Sequence, residues 1–321
     1  MAEPPGRLAA RPARARQPER PRRQGPGHGG ADPGAGAVSA APVRASANRL
    51  EQRLAELRRR GGKGLAPYVT AGDGGLETTL AVLRALDDAG AACVELGVPF
   101  SDPIADGPLL QQAADRALAD GTTLAGILST VREFRSGSRG RPGSELPVAL
   151  MSYSNPLLRR GWSALCRDAA KAGVDALIVP DLPPEEAGEM REAALSSGIC
   201  PIFFVAPTTT EPRVRMAAEA SRGFLYVVGR TGVTGAATDI DAATVSFLQR
   251  VRAAAALPLA VGFGLATPGQ VAAALAHADL AIVGSALVRH IHESARSAPD
   301  FVAAAARAAA GFLTELRRGL P

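Results

Sequence analysis

From residue 65 onward the chain repeats one pattern. A short, nearly unbroken apolar run is followed by a polar or glycine-rich loop, then by a stretch in which apolar residues recur at helical spacing. The runs fall at 65–69, 93–96, 148–153, 176–180, 202–206, 225–228, 259–263 and 280–283. Helical periodicity lies between them, at 77–89, 124–134, 162–172, 185–196, 244–254 and 268–276, and a last helix is expected over 299–317. A strand that is apolar on both faces must be covered on both, as in a parallel sheet whose crossover helices pack outside it. Eight such strands within the 272 residues after residue 49 predict an α/β fold, the (β/α)8 or TIM barrel, for which about 250 residues is usual. An open doubly wound sheet is the competing architecture. No GxGxxG opens the first helix and no acidic residue stands where it would hold a ribose, which weighs against it. Ahead of the first run, Ser46 reads as the N-cap of an extra N-terminal helix over 47–60, with Leu50, Leu54 and Leu57 on one face.

Residues 1–45 have a different composition. Arg, Pro, Gly and Ala dominate, and large apolar side chains are almost missing. Burial in such a segment does not offset the entropy of ordering it, so a disordered basic tail is expected, leaving 46–321 as a single barrel domain. The tail has no apolar core of a secretory signal, and its only serines, Ser39 and Ser46 among residues 1–49, are too few for a transit peptide. It also accounts for the charge. The formal net charge is +5, but residues 1–49 hold nine Arg against Glu3, Glu19 and Asp32, a net of +6 that leaves −1 for the rest. A barrel close to neutral has no footprint for a phosphate backbone, which argues against nucleic acid as a partner. The longest apolar stretch, 253–266, is broken by Pro258 and by Gly262-Phe263-Gly264, short of the ~18 residues a spanning helix needs, so no membrane association is expected. Cys93, Cys166 and Cys200 form neither a disulfide framework nor a CxxC pair, which suits a reducing, cytoplasmic setting.

In barrels of this kind the active site gathers at the C-terminal ends of the strands. The second run ends Glu95-Leu96-Gly97-Val98-Pro99-Phe100-Ser101-Asp102-Pro103-Ile104-Ala105-Asp106-Gly107-Pro108. If Glu95 points inward it is a carboxyl in a partly dry pocket, with a pKa raised toward the range useful for acid–base work. Asp106 follows in a loop long enough to fold over the barrel mouth. The alternative is an ordinary strand end and a turn former. The loops after the last three strands, Arg230-Thr231-Gly232-Val233-Thr234-Gly235, Gly262-Phe263-Gly264 and Gly284-Ser285, let backbone amides approach a ligand and point to a phosphate. Tight turns are the alternative for each of them alone. Of the two lysines, Lys63 precedes the first strand and Lys171 ends a helix, so neither suits a Schiff base. His28, His277, His290 and His292 have no metal-ligand spacing at a strand end. What remains is carboxylate chemistry on a phosphorylated substrate that supplies its own electron sink.

The long Glu95-to-Pro108 motif closely resembles that of the tryptophan synthase α-subunit family. So do Pro67-Tyr68-Val69-Thr70-Ala71-Gly72-Asp73, Tyr153-Ser154-Asn155-Pro156, Asp181-Leu182-Pro183, Arg230-Thr231-Gly232-Val233-Thr234-Gly235 and Gly262-Phe263-Gly264. The resemblance runs from about residue 47 to the C-terminus. It implies retro-aldol cleavage of indole-3-glycerol phosphate to indole and glyceraldehyde 3-phosphate. By this resemblance Glu95 is the acid–base residue at indole C3 and the side-chain hydroxyl, Asp106 holds the indole N–H, and Tyr226 stands beside the glutamate. Tyr68 matches an aromatic position near the indole, usually Phe. Gly232, Gly235, Gly262, Phe263, Gly264, Gly284 and Ser285 match positions around the phosphate, and Thr234 matches a loop threonine that closes toward Asp106. Asp102, Tyr153 and Asn155 are expected to face a β subunit in an α2β2 assembly. Indole would pass there to a pyridoxal phosphate site belonging to the partner, with no cofactor in this chain.

Three positions depart from the family pattern. Gly72-Asp73-Gly74 replaces the usual Gly-Asp-Pro, Ser152 stands where an apolar residue is expected, and Ala236-Ala237 is an uncommon continuation after Gly235. All three concern the mouth of the barrel, so they bear on partner coupling more than on chemistry. Two other functions share the scaffold. One is a stand-alone indole-releasing lyase. The other is a non-catalytic regulatory subunit, which would have no need to keep both Glu95 and Asp106.

Overall fold

The structure, a computed structural model, describes residues 47–138, 140–229, 241–262 and 264–321. All strand pairs are parallel, in the order β5-β4-β3-β2-β1-β9-β8-β7-β6. They are β1 Gly64–Thr70, β2 Val94–Gly97, β3 Val148–Met151, β4 Ala176–Ile178, β5 Cys200–Ile202, β6 Phe204–Val205, β7 Leu225–Val228, β8 Leu259–Gly262 and β9 Leu280–Val283. The two edge strands, β5 and β6, are consecutive in the chain. The fifth predicted strand is therefore one strand broken at Phe203, its first part pairing with β4 and its second with β7. The eightfold barrel closes through the backbone of Phe203, whose carbonyl accepts the Tyr226 N–H at 3.0 Å.

Alternation along the strands separates two cores. Ala66, Ala149, Ala176, Ile178, Ile202, Phe224, Tyr226, Ala260 and Ile282 fill the lumen. Leu65, Val94, Leu96, Val148, Leu150, Val227 and Val261 point outward beneath the helices. Both faces are buried, which is why the runs read as continuous rather than alternating.

Helix α1 (Arg49–Arg59) buries Leu50 and Leu54 against the lumen residues, plugging the end of the barrel opposite the strand C-termini. Its N-cap is Asn48, not Ser46, which lies outside the described residues. Asn48 accepts from the Glu51 N–H and Glu51 returns a bond to the Asn48 N–H, a complete capping box. The Asn48 side-chain NH2 donates to the carbonyls of Asp175 and Gly198, at 2.7 and 3.0 Å.

The remaining helices are α2 Leu76–Asp88, α3 Pro108–Ala119, α4 Leu124–Ser136, α5 Ser154–Leu158, α6 Trp162–Ala172, α7 Gly188–Ser196, α8 Glu211–Ala220, α9 Ala242–Ala254, α10 Pro268–Leu275, α11 Ser285–Ala295 and α12 Phe301–Leu316. Neither α3 nor α8 stands out in the sequence, because their buried faces are mostly alanine: Ala113, Ala114 and Ala117 in α3, Val214 and Ala217 in α8. None of the helices among the described residues is long and apolar enough to cross a membrane.

Two of the unusual residues have structural reasons. Gly74 has φ +77°, and a Cβ there would lie 2.2 Å from the Phe301 ring, so proline, fixed near φ −65°, does not fit this turn. Ser152 is buried and donates its hydroxyl to the Val98 carbonyl at 3.3 Å, tying the loop after β3 to the loop after β2. The expected tail, residues 1–45, and Ala236-Ala237 lie outside the described residues.

Candidate active site

Strand β2 turns Val94 and Leu96 outward and Glu95 into the barrel, where its side chain is 0% exposed. The Tyr226 hydroxyl, 131 residues away in sequence, donates to Oε2 at 3.5 Å. The other oxygen, Oε1, has no hydrogen-bond partner among the described residues. Burial disfavours the charged form and pushes the carboxyl up to about 8, against the opposing bond from Tyr226. These surroundings favour the protonated form of Glu95. Burial and then the charge of Glu95 raise the Tyr226 hydroxyl well above its ordinary range, which keeps it a donor.

Glu95 lines a cavity of about 450 Å³ at the C-terminal ends of the strands. On the β8–β9 arc its wall is mainly backbone, with Gly262, Gly264, Gly284 and Ser285. Gly284 is the N-cap and Ser285 the first residue of α11, and among the described residues no side chain caps that helix. Its first-turn amides are thus available to an anion. On the opposite arc, β3 to β6, the wall is Met151, Pro180 and Phe204. Tyr68 stands opposite Glu95 on β1, with its ring across Gly97. A Cβ at Gly97 would lie 2.1 Å from the Tyr68 hydroxyl, so the first motif glycine makes room for this ring.

Asp106 reaches the cavity from the loop between β2 and α3 and is half-buried. Desolvation raises its carboxyl, opposed by a hydrogen bond from Tyr153. The loop is held on both sides. The Ala105 N–H donates to the Tyr153 hydroxyl at 2.9 Å, and the Gln111 amide donates to the Asp106 carbonyl at 3.0 Å. Tyr153, expected at a partner face, is thus tied to the Asp106 loop. It is 5% exposed, its ring tilted by 35° to that of Phe100 with centroids 5.5 Å apart. Asp102 and Asn155 are exposed. Asn155 belongs to the short helix α5, whose start is fixed by Asp181. The Ser154 N–H and hydroxyl both donate to that carboxylate, at 2.8 and 2.6 Å. Beside them, Ile104 is 84% exposed.

The structure thus brings Glu95, Asp106, Tyr226, Tyr68, Gly262, Gly264, Gly284 and Ser285 around one cavity. Gly232, Thr234, Gly235 and Phe263 lie outside the described residues. Leu110, Met151, Pro180, Phe204, Val228 and Ile282 complete the wall and were not singled out in the sequence. An apolar residue at a strand end carries no chemical signal. Only its place on the inward face distinguishes it.

The family model for the tryptophan synthase alpha chain matches residues 54–315. A tryptophan synthase alpha chain from a Geobacter species is 48% identical over 246 residues, covering 77% of this chain and 90% of that one. Among solved structures, tryptophan synthase subunit alpha from Legionella pneumophila superposes with a TM-score of 0.75 at 36% identity, covering 85% of this chain and 98% of the other. A chain from the tryptophan synthase α2β2 complex of Pyrococcus furiosus gives a TM-score of 0.69, also at 36% identity, covering 79% and 98%.

Proposed function

From the premise that this chain belongs to the tryptophan synthase alpha chain family, we propose that it cleaves indole-3-glycerol phosphate with Glu95 as the acid–base group and Asp106 as its electrostatic counterpart. The products are indole and glyceraldehyde 3-phosphate. The observation that carries the assignment is the placement of Glu95: fully buried at the wall of the cavity, with Oε1 unpartnered among the described residues.

Glu95 gives its proton to indole C3. The positive charge that develops is shared with the ring nitrogen, and Asp106, accepting a hydrogen bond from the N–H, stabilises it where it forms. The bond between C3 and the side chain then breaks, its electron pair restoring the aromatic ring. The adjacent hydroxyl loses its proton to the ionised Glu95 and becomes the aldehyde. Glu95 ends protonated, as it began, so one carboxyl serves both transfers. Tyr226 holds Oε2 and leaves Oε1 to the substrate. The phosphate rests on the amides at the start of α11, beside Gly262, Gly264 and Ser285.

The partner is a β subunit, as in the α2β2 complex of the Pyrococcus relative, and it carries the pyridoxal phosphate. Ile104 supports a docking face at the mouth. An apolar side chain 84% exposed two residues from Asp106 gives a partner direct purchase on the catalytic loop. The test is indole release by the purified chain, with and without a β subunit. Slow turnover raised strongly by the partner is expected. Fast turnover indifferent to it would make this a stand-alone lyase, and none in either case would overturn the assignment.

A further inference from the structure

A second cavity, of about 210 Å³, lies beside the first at the same end of the barrel. The two share two lining residues, Pro180 and Phe204. Inside, the second cavity is walled by the buried Phe203 and Ala217. Outside, it is edged by the exposed Glu185 and Arg213, ion-paired at 3.0 Å.

The break in the fifth strand is what sets Phe204 between them. Phe203 turns outward into the helix-covered core, its N–H bound to the Ser221 hydroxyl at 3.1 Å. Phe204 consequently turns inward, opposite Tyr226 in register, with the two rings 4.5 Å apart and tilted by 36°. The Phe204 ring, packed on Tyr226, thus forms part of the wall between the two cavities.

We propose that Phe204 sets the size of the ring system the enzyme accepts, and that the cavity behind it is a latent extension of the substrate pocket. The inference rests on the reading above. With C3 at Glu95, the N–H at Asp106 and the phosphate on the β8–β9 arc, the benzo ring faces the opposite arc, where Met151, Pro180 and Phe204 stand. The substrates excluded are indolylglycerol phosphates bearing a substituent on that ring. Removing the Phe204 ring joins the two cavities and admits them.

The test is kcat/KM for unsubstituted indole-3-glycerol phosphate and for a set of analogues methylated singly around the benzo ring. One added methyl against a fixed apolar wall is expected to cost about tenfold or more in the unmodified enzyme at one ring position or two. In Phe204→Ala the ratio of substituted to unsubstituted kcat/KM at those positions should rise about tenfold or more. Phe204→Leu should shift it less and in the same direction, which keeps the test open if the alanine variant does not fold. Refilling the side cavity with Ala217→Leu in the Phe204→Ala background should return the ratio toward its starting value. A Phe204 variant that loses activity equally on every analogue, or a gain that survives the refilling, overturns the proposal. Failure of the unmodified enzyme on the unsubstituted substrate would instead overturn the functional assignment.

Discussion

Two buried carboxyl groups sit at opposite ends of this barrel, and their surroundings are reversed. Asp175, 2% exposed below β4, is held by cations and backbone. Arg135 reaches it at 2.8 Å, Arg49 at 2.9 Å, and the Val148 N–H at 2.9 Å. Arg135 in turn donates to the carbonyls of Gly173, Ser144 and Leu146. Glu95, equally buried at the other end, has one long bond from Tyr226 and, among the described residues, no cation. Burial raises both carboxyls, but at Asp175 Arg135 and Arg49 oppose the shift. A buried carboxylate surrounded by partners ties elements together. One left without them keeps its proton and its reactivity.

The comparison can be broken most directly at its reactive end. Glu95→Gln should lower kcat for indole release by about 10³-fold or more, while substrate binding and thermal unfolding stay near those of the unmodified chain. Turnover within tenfold of the original would remove the distinction between the two sites. At the other end, Asp175→Ala should do the reverse. It leaves the buried Arg135 uncompensated and should cost about 3–5 kcal/mol in denaturant unfolding, with kcat per folded molecule nearly unchanged. A stable variant would mean the ion pairs do not hold α1, α4 and the barrel together.

Smaller effects sharpen the contrast. Asp106→Asn keeps the shape of the loop but removes the charge facing the indole N–H, so kcat should fall about 10²-fold, less than for Glu95→Gln. The pH profile probes Glu95 itself. Because its protonated form starts the reaction, kcat/KM should decline as pH rises through about 8. Tyr226 stabilises the ionised form, so Tyr226→Phe should raise the pKa and move that decline to higher pH, by a unit or less. A break displaced downward would mean that Tyr226 does not donate to the carboxylate.

Much of the fold was legible because its signals are local. Apolar runs at 225–228 and 280–283 coincide with β7 and β9, and the periodicity at 162–172 coincides with α6. Where the signal depended on distant neighbours, it misled. Ser46 looked like a cap, but Asn48 is bonded both to Glu51 and across the barrel floor to Asp175 and Gly198. The run at 202–206 looked like one strand, but pairing to β4 on one side and β7 on the other splits it. The bond from the Ala105 amide to Tyr153, 48 residues away, left no trace in either motif.

The sequence by itself determined the parallel α/β barrel, the motif that carries Glu95 and Asp106, and the glycine loops that leave backbone exposed. Each of these is written in residues close along the chain, through continuous apolar runs, the helical period of 3.6 or a contiguous motif. The tertiary structure alone decided that Glu95 is wholly buried, that Gly74 must remain glycine beneath Phe301, and that Phe204 stands between two cavities. Those properties depend on desolvation and close packing by groups far away in sequence, which no local pattern encodes.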